Sequence, residues 1–380
     1  MVINNARIMP IDRPVIENGY VRVENGIIAE LGAAPYTGAD EDIFDAGGGV
    51  LLPGFVDAHT HLGMWEDGLG FEGEDGNEDT DPATPHLRAV DAVNPFDRCF
   101  KEALEAGITT VITGPGSSNP IGGQMCAMKT CGRRLEDMVI RAPIAVKMAL
   151  GENPKTVYHS KNQAPVTRMA TAAIIREQMA LAKRYDQDWQ NSKAGKCDPP
   201  ELDIKCEALL PVIKGELPVH FHAHRLDDIF TAGRIAKEYN LKFVIIHGTQ
   251  GHIAADLLAD ERIRLLCGPL ICDRSKPELR DLTPSGLSVL HNAGIEFAIV
   301  SDHPVVPTQY LALCAYVAVR DGLPYEQALK AMTLSPARIC GIDDRVGSIT
   351  PGKDADLALF PGDPLISKPT AVFCKGRRAV

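Results

Sequence analysis

Leu52-Pro-Gly-Phe-Val-Asp-Ala-His-Thr-His61 is an apolar run that ends on two histidines one residue apart. The run Leu51–Ala58 has the length of a buried strand. Residues i and i+2 of a strand point to the same face. His59 and His61 therefore stand side by side at a strand end, where they can grip one metal ion or simply form a surface or core histidine pair. Outward from this stretch the pattern repeats. Ile108–Thr113, Ala142–Leu150, Pro218–His222, Phe243–His247, Arg264–Cys267 and Ile295–Val300 are further short apolar runs. Between them, Pro95–Glu105, Thr167–Tyr185, Asp228–Tyr239, Pro284–Asn292 and Tyr325–Leu334 carry apolar residues at helical spacing. Alternating units of this number predict an α/β fold, a (β/α)8 TIM-like barrel. Seven strands are well marked; the eighth is expected within Pro120–Cys131, or is poorly marked.

In such a barrel every strand C-terminus opens onto one face. Lys147 follows Ala142–Val146, His222 and His247 end their runs, and Asp302 follows Ile295–Ser301. His59, His61, Lys147, His222, His247 and Asp302 are thus expected to converge. Imidazole nitrogens and carboxylate oxygens are ligands of first-row metals. An ammonium has no free lone pair. Lys147 therefore either packs its stem and turns its charge outward, or reacts with carbon dioxide to become an anionic carbamate that bridges two ions.

Both chain ends read differently from the middle. Val21–Glu24 and Ile27–Leu31 flank Asn25-Gly26, a strong hairpin signal. Asp356–Phe360 and Ala371–Cys374 flank the turn Pro361-Gly-Asp-Pro364. Residues 1–50 plus 346–380 are expected to form one small β-sandwich domain, leaving 51–345 for the barrel. A bare barrel uses about 250 residues, so the 380-residue length is consistent with this division. Trp65–Asp81, rich in Gly, Asp and Glu, reads as a solvated loop or as a rim over the site. Lys183–Pro200 reads as a polar surface excursion.

The chain carries 39 basic and 50 acidic residues, a net charge of −11, which argues against nucleic-acid and anionic-membrane partners. Apolar runs of 18 residues are absent, and the N-terminus lacks a basic segment followed by an apolar core. A cytoplasmic protein is expected. The ten cysteines form no CxxC pair, so no zinc ribbon is indicated and free thiols are expected.

Taken together, Leu52–His61, Leu334-Ser-Pro-Ala-Arg338 and Val346-Gly-Ser-Ile-Thr-Pro-Gly-Lys-Asp-Ala-Asp-Leu357 resemble the metal-dependent amidohydrolase superfamily, most closely its imidazolonepropionase-related subgroup. The resemblance spans nearly the whole chain. It implies two divalent ions, zinc foremost, with manganese, iron, nickel or cobalt as alternatives. His59, His61 and Asp302 would hold one ion, and His222 and His247 the other. Val146-Lys147-Met-Ala149 is similar to strands whose lysine is carboxylated and bridges the ions. Glu152, in Leu150-Gly-Glu-Asn-Pro154, is the rival bridging ligand, and a mononuclear site is the third option. The implied reaction is hydrolysis of a C–N bond in an amide or cyclic amide. A metal-activated hydroxide attacks, and Asp302 serves as general base and then acid. Deaminase-type sites of the superfamily commonly carry a carboxylate after the strand-five histidine, whereas His222-Ala-His-Arg225 has none.

A mononuclear deaminase of aminated heterocycles and a non-catalytic assembly protein stay open as alternatives. Arg225 could pair with a substrate carboxylate, or simply with Asp227 or Asp228. Tyr158 could donate to an oxyanion, or pack its loop. His224 and His303 neighbour the expected ligands and could orient them or contact substrate. A small-molecule amide substrate and a homo-oligomer complete the expectation.

Overall fold

The computed structural model describes residues 1–38 and 42–380. Its strands, in chain order, are β1 (Val2–Ile8), β2 (Ile16–Glu24), β3 (Ile27–Gly32), β4 (Ile43–Asp45), β5 (Val50–Pro53), β6 (Phe55–Thr60), β7 (Ile108–Thr113), β8 (Ile121–Lys129), β9 (Val139–Ala149), β10 (Val219–Ala223), β11 (Phe243–His247), β12 (Leu265–Cys267), β13 (Phe297–Ile299), β14 (Leu357–Phe360), β15 (Ala371–Cys374) and β16 (Arg377–Arg378). They form two sheets. One, ordered β16-β15-β14-β5-β1-β2-β3 with β4 beside β1, is built from both chain ends. The other runs β13-β12-β11-β10-β9-β8-β7-β6 and is the TIM-like barrel. Backbone bonds from Asp302 N to His59 O (3.2 Å) and from His61 N to His303 O (3.0 Å) link its two end strands.

Two strand expectations change in the structure. The run Leu51–Ala58 is two strands, not one. It breaks at Gly54, where a Cβ would lie 2.1 Å from Thr109 Oγ1. Only a glycine lets the chain cross so close to β7 on its way from one sheet to the other. The eighth strand, β8, lies inside Pro120–Cys131 but runs antiparallel to both β7 and β9. No helix separates β7 from β8, and only the single turn Leu135–Met138 separates β8 from β9, so helical spacing could not mark it. The surface excursion expected from Lys183 is helical instead. One helix spans Arg168–Lys193, its N-terminus capped by Thr167 Oγ1 accepting from Ala170 N. Its second half is polar because it is solvated, and no glycine or proline interrupts it before Gly195.

The barrel interior packs Val56, Ala58, Ile112, Met125, Ala127, Ala145, Val244, Ile246, Leu266 and Ala298 against Ala337 and Ile339 of the helix Leu334–Ile339. The opposite side chains of the strands, such as Phe55, Phe221 and Ile245, pack with the surrounding helices. The polar strand ends interrupt this apolar core, as do the buried side chains of Thr109, Thr110 and His220. No helix of the described residues is long and apolar enough to cross a membrane.

Candidate metal centre

The strand-end residues come together as two groups, His59–His61–Asp302 and His222–His224–His247, whose nitrogen and oxygen atoms lie within 4.8 Å of one another inside each group. Asp302 Oδ1 is 3.1 Å from His59 Nε2 and 3.4 Å from His61 Nε2. The His59 and His247 rings join the groups, with centroids 5.6 Å apart. Lys147, 1% exposed, reaches in from β9, its Nζ 3.4 Å from His59 Nε2 and 3.3 Å from Pro115 O. Gly122 and Gly123 leave room beside it on the neighbouring strand, where a Cβ on Gly122 would touch Lys147 Cγ at 3.9 Å.

Local backbone geometry aims two of these side chains. On β11, Val244 and Ile246 face the barrel interior, so regular alternation would turn His247 outward with Ile245. Instead His247 adopts φ +72° and Asp302 adopts φ +57°. Left-handed backbone is costly for a non-glycine residue and concentrates at functional sites. Here it brings the His247 ring to 4.5 Å from His222 and 4.3 Å from His224.

Hydrogen bonds set which nitrogen of each ring is free. Nδ1 of His61 bonds Gly114 O (2.7 Å) and Nδ1 of His247 bonds Gly268 O (2.6 Å). A carbonyl only accepts, so both rings carry their proton on Nδ1 and present an Nε2 lone pair. Nδ1 of His224 bonds Thr249 Oγ1 at 2.7 Å. Buried atoms left without a hydrogen-bond partner include His247 Nε2, His59 Nδ1 and His222 Nδ1. Burial drives His59, His222 and His224 well below the ordinary imidazole value, and His247 down to about 4. All four are neutral near pH 7, as metal ligands must be. Burial lowers Lys147 to about 8. Burial opposes ionisation of Asp302, but His247, His59 and His61 hold its carboxyl well below the usual range. Neutral buried donors with unshared lone pairs beside one ionised carboxylate fit divalent cations.

The groups floor a cavity of about 580 Å³, lined by His61, His222, His224, Asp302, Asn153 and Lys276 among others. Trp65 and Asn77 of the acidic loop also line it, with the Trp65 ring edge-on to His61 at 4.5 Å. That loop is therefore a rim. Three of its carboxylates, Asp67, Asp79 and Asp81, pair with Arg98, Lys161 and Lys205. A larger cleft of about 870 Å³ lies elsewhere, against Lys129, Cys131 and Cys374, and no histidine lines it.

Other expected residues stand apart. Glu152 lines the cavity, yet its carboxylate belongs to neither group; its backbone N–H donates to Glu278 Oε2 (3.1 Å). Arg225 pairs with Asp227 at 2.8 Å at the surface and does not line this cavity. Tyr158 is fully buried and donates to Asn119 Oδ1 (2.7 Å). His303 accepts from Thr308 N through Nδ1 (3.3 Å) and joins neither group.

Beside the site, two buried carboxylates of the described residues, Asp57 and Glu278, were not singled out from the sequence. Asp57 accepts from Ser301 N, Ser301 Oγ and Thr308 Oγ1, tying β6 to the segment that carries Asp302. Its spacing, two residues before His59, was the available signal. Glu278, 1% exposed, faces His224 Nε2 (3.6 Å) and His222 Nε2 (3.8 Å). It arrives from the loop after β12, and no local motif marks it.

Comparison with known proteins agrees with this architecture. The amidohydrolase family model matches residues 50–379. The amidohydrolase tasK of Hapsidospora irregularis is 31% identical over 380 residues, covering 91% of this chain but only 38% of that longer protein. The imidazolonepropionase of Thermoplasma acidophilum is 24% identical, with 92% of this chain and 84% of that protein covered. A solved amidohydrolase structure from Thermotoga maritima MSB8 superposes with a TM-score of 0.97 at 40% identity, covering 100% of this chain and 99% of the other. From its first histidine pair to its terminal sheet, the chain belongs to the amidohydrolase family.

Proposed function

We propose that the protein is a metal-dependent hydrolase that cleaves a C–N bond of an amide or cyclic amide. The observation that carries this reading is the pair of buried donor groups facing each other across the cavity floor. His59, His61 and Asp302 would hold one divalent ion, and His222 and His247 a second. Bound divalent ions generate a nucleophile from water at neutral pH and polarise a carbonyl. Asp302, ionised and beside His59 and His61, accepts the proton of the attacking water and passes it to the leaving nitrogen. The Nδ1 bonds of His61 and His247 to backbone carbonyls hold the rings in one tautomer and orientation.

Lys147 is the favoured bridging residue. It is buried beside His59, and its lowered basicity supplies the neutral amine that attacks carbon dioxide. Glu152, anchored through its backbone to Glu278, is the less favoured candidate. His224 stands beside the second ion site rather than on it. Its ring is stacked on His247 at 4.3 Å and 9°. The lone pairs of two such rings lie in parallel planes and do not meet at one point. His224 is instead placed to donate to a bound substrate.

Metal analysis of protein purified without chelator should find about two divalent ions per chain. A panel of N-acyl amino acids and cyclic amides should then include hydrolysed members. Ammonia release from aminated heterocycles would favour a deaminase. Less than about half an equivalent of metal, with no activity after zinc or manganese is added, would overturn the proposal.

A further inference from the structure

We infer that Lys276 forms a carboxylate-binding subsite and that the substrate carries a carboxylate a few bonds from the scissile carbonyl. This rests on the hydrolase reading above and names the substrate class for the same cavity.

Among the described residues, Lys276 is the only lysine or arginine that lines the cavity. Its side chain is 28% exposed, so the ammonium is reachable. It is also held in place. Nζ pairs with Glu278 Oε1 at 2.9 Å and donates to Asn153 Oδ1 at 2.9 Å. Asn153 is pinned in turn, its Nδ2 donating to Ser117 Oγ at 2.7 Å. Glu278 is buried and accepts from Glu152 N at 3.1 Å. An ammonium has three donors. Glu278 and Asn153 take two, and the third is left for the cavity. Glu152 and Asp273 line the same cavity, but among the described residues Glu278 is the carboxylate ion-paired with Lys276. A cation fixed before binding loses little entropy when an anion arrives.

The position of this ammonium selects the ligand. Glu278 Oε1, which touches Lys276, is also 3.8 Å from His222 Nε2 and 3.6 Å from His224 Nε2. Cation and proposed metal ligands are therefore separated by little more than one oxygen atom. An anion on Lys276 sits within a few bonds of a carbonyl over His222. One cation already shared with Glu278 suits a monoanion better than a phosphate dianion. N-acyl amino acids and cyclic amides bearing a carboxylate meet both conditions.

The test compares N-acetyl amino acids with their carboxamides on the zinc-loaded protein. Hydrolysis is read as kcat/KM, and binding of each pair by calorimetry. The carboxylate member should be favoured about ten- to hundredfold, the range of a hydrogen bond to a charged group. Lys276→Met should erase that ratio, and Lys276→Arg should retain it. Because Lys276→Met leaves Glu278 buried without its cation, the double variant Lys276→Met/Glu278→Gln serves as a second measurement and should erase the ratio too. A ratio near one in the wild type, or one that survives both variants, overturns the subsite while metal-dependent hydrolysis stands. If no member is hydrolysed, the calorimetric ratio alone decides. Absence of bound metal would count against the hydrolase reading separately.

Discussion

Lys129→Met should destabilise the joint between the barrel and the terminal sheet. Lys129 ends β8 and is 2% exposed. Its Nζ pairs with Asp356 and, at 2.8 Å, with Asp354. Asp354 keeps a second cation in the variant, Arg345 at 2.8 Å. Asp356 keeps only the backbone N–H of Lys375 (2.9 Å). Removing one partner of a buried pair costs about 3–5 kcal/mol. With Asp354 still paired, the lower end, about 3 kcal/mol, is expected. For 380 residues unfolding in one transition, the entropy is about 0.8 kcal/mol/K, so Tm should fall by roughly 4 °C. Differential scanning fluorimetry at neutral pH reads this directly. Adding Asp356→Asn should recover part of the loss, since no lone carboxylate then remains buried. Burial opposes ionisation of Asp354, but Arg345 and Lys129 lower its pKa from 3.8. A depressed carboxylate contributes stability that is present above its unfolded value and lost as pH falls through its folded one. The gap between wild type and variant should therefore narrow below pH 3.8. A single variant within about 1 °C of wild type, or a double variant no better than the single, would refute the reasoning.

Three further outcomes are expected. Lys147→Ala should lower metal content from about two ions per chain toward one, with added acetate restoring it; unchanged content would transfer the bridging role to Glu152. Tyr158→Phe should cost about 1–2 kcal/mol through its lost bond to Asn119 and leave kcat intact, whereas a large fall in kcat would return Tyr158 to the chemistry. Burial raises Asp57 to about 6 despite the hydroxyls of Ser301 and Thr308. Its protonated form is then favoured in the folded state, so wild-type stability relative to Asp57→Asn should decline as pH rises from 3.8 to about 6; denaturant titrations that show a rising difference would contradict this.

Much of the site was legible because a parallel barrel turns sequence position into spatial position. A polar residue after an apolar run is a strand end, and the strand ends share one face. That logic predicted that His59, His61, Lys147, His222, His247 and Asp302 would converge, and the structure brings them together. It failed where side-chain direction departs from alternation. His247 needs its positive φ to face inward, and no local pattern announces that. Arg225 and Tyr158 looked equally suited to a substrate, but the first found Asp227 and the second found Asn119.

The barrel, the terminal sheet and a cluster of histidines at the strand ends could be read from local pattern, because strand length, alternation and the placement of imidazoles are local properties. The remaining features depend on contacts between distant parts of the chain. Glu278 and Lys276 reach His222 and Asn153 across loops separated by more than 50 residues, and Asp57 finds Ser301 and Thr308 across 244 and 251. Such contacts depend on how loops fold over a finished barrel. No periodicity within either partner encodes them.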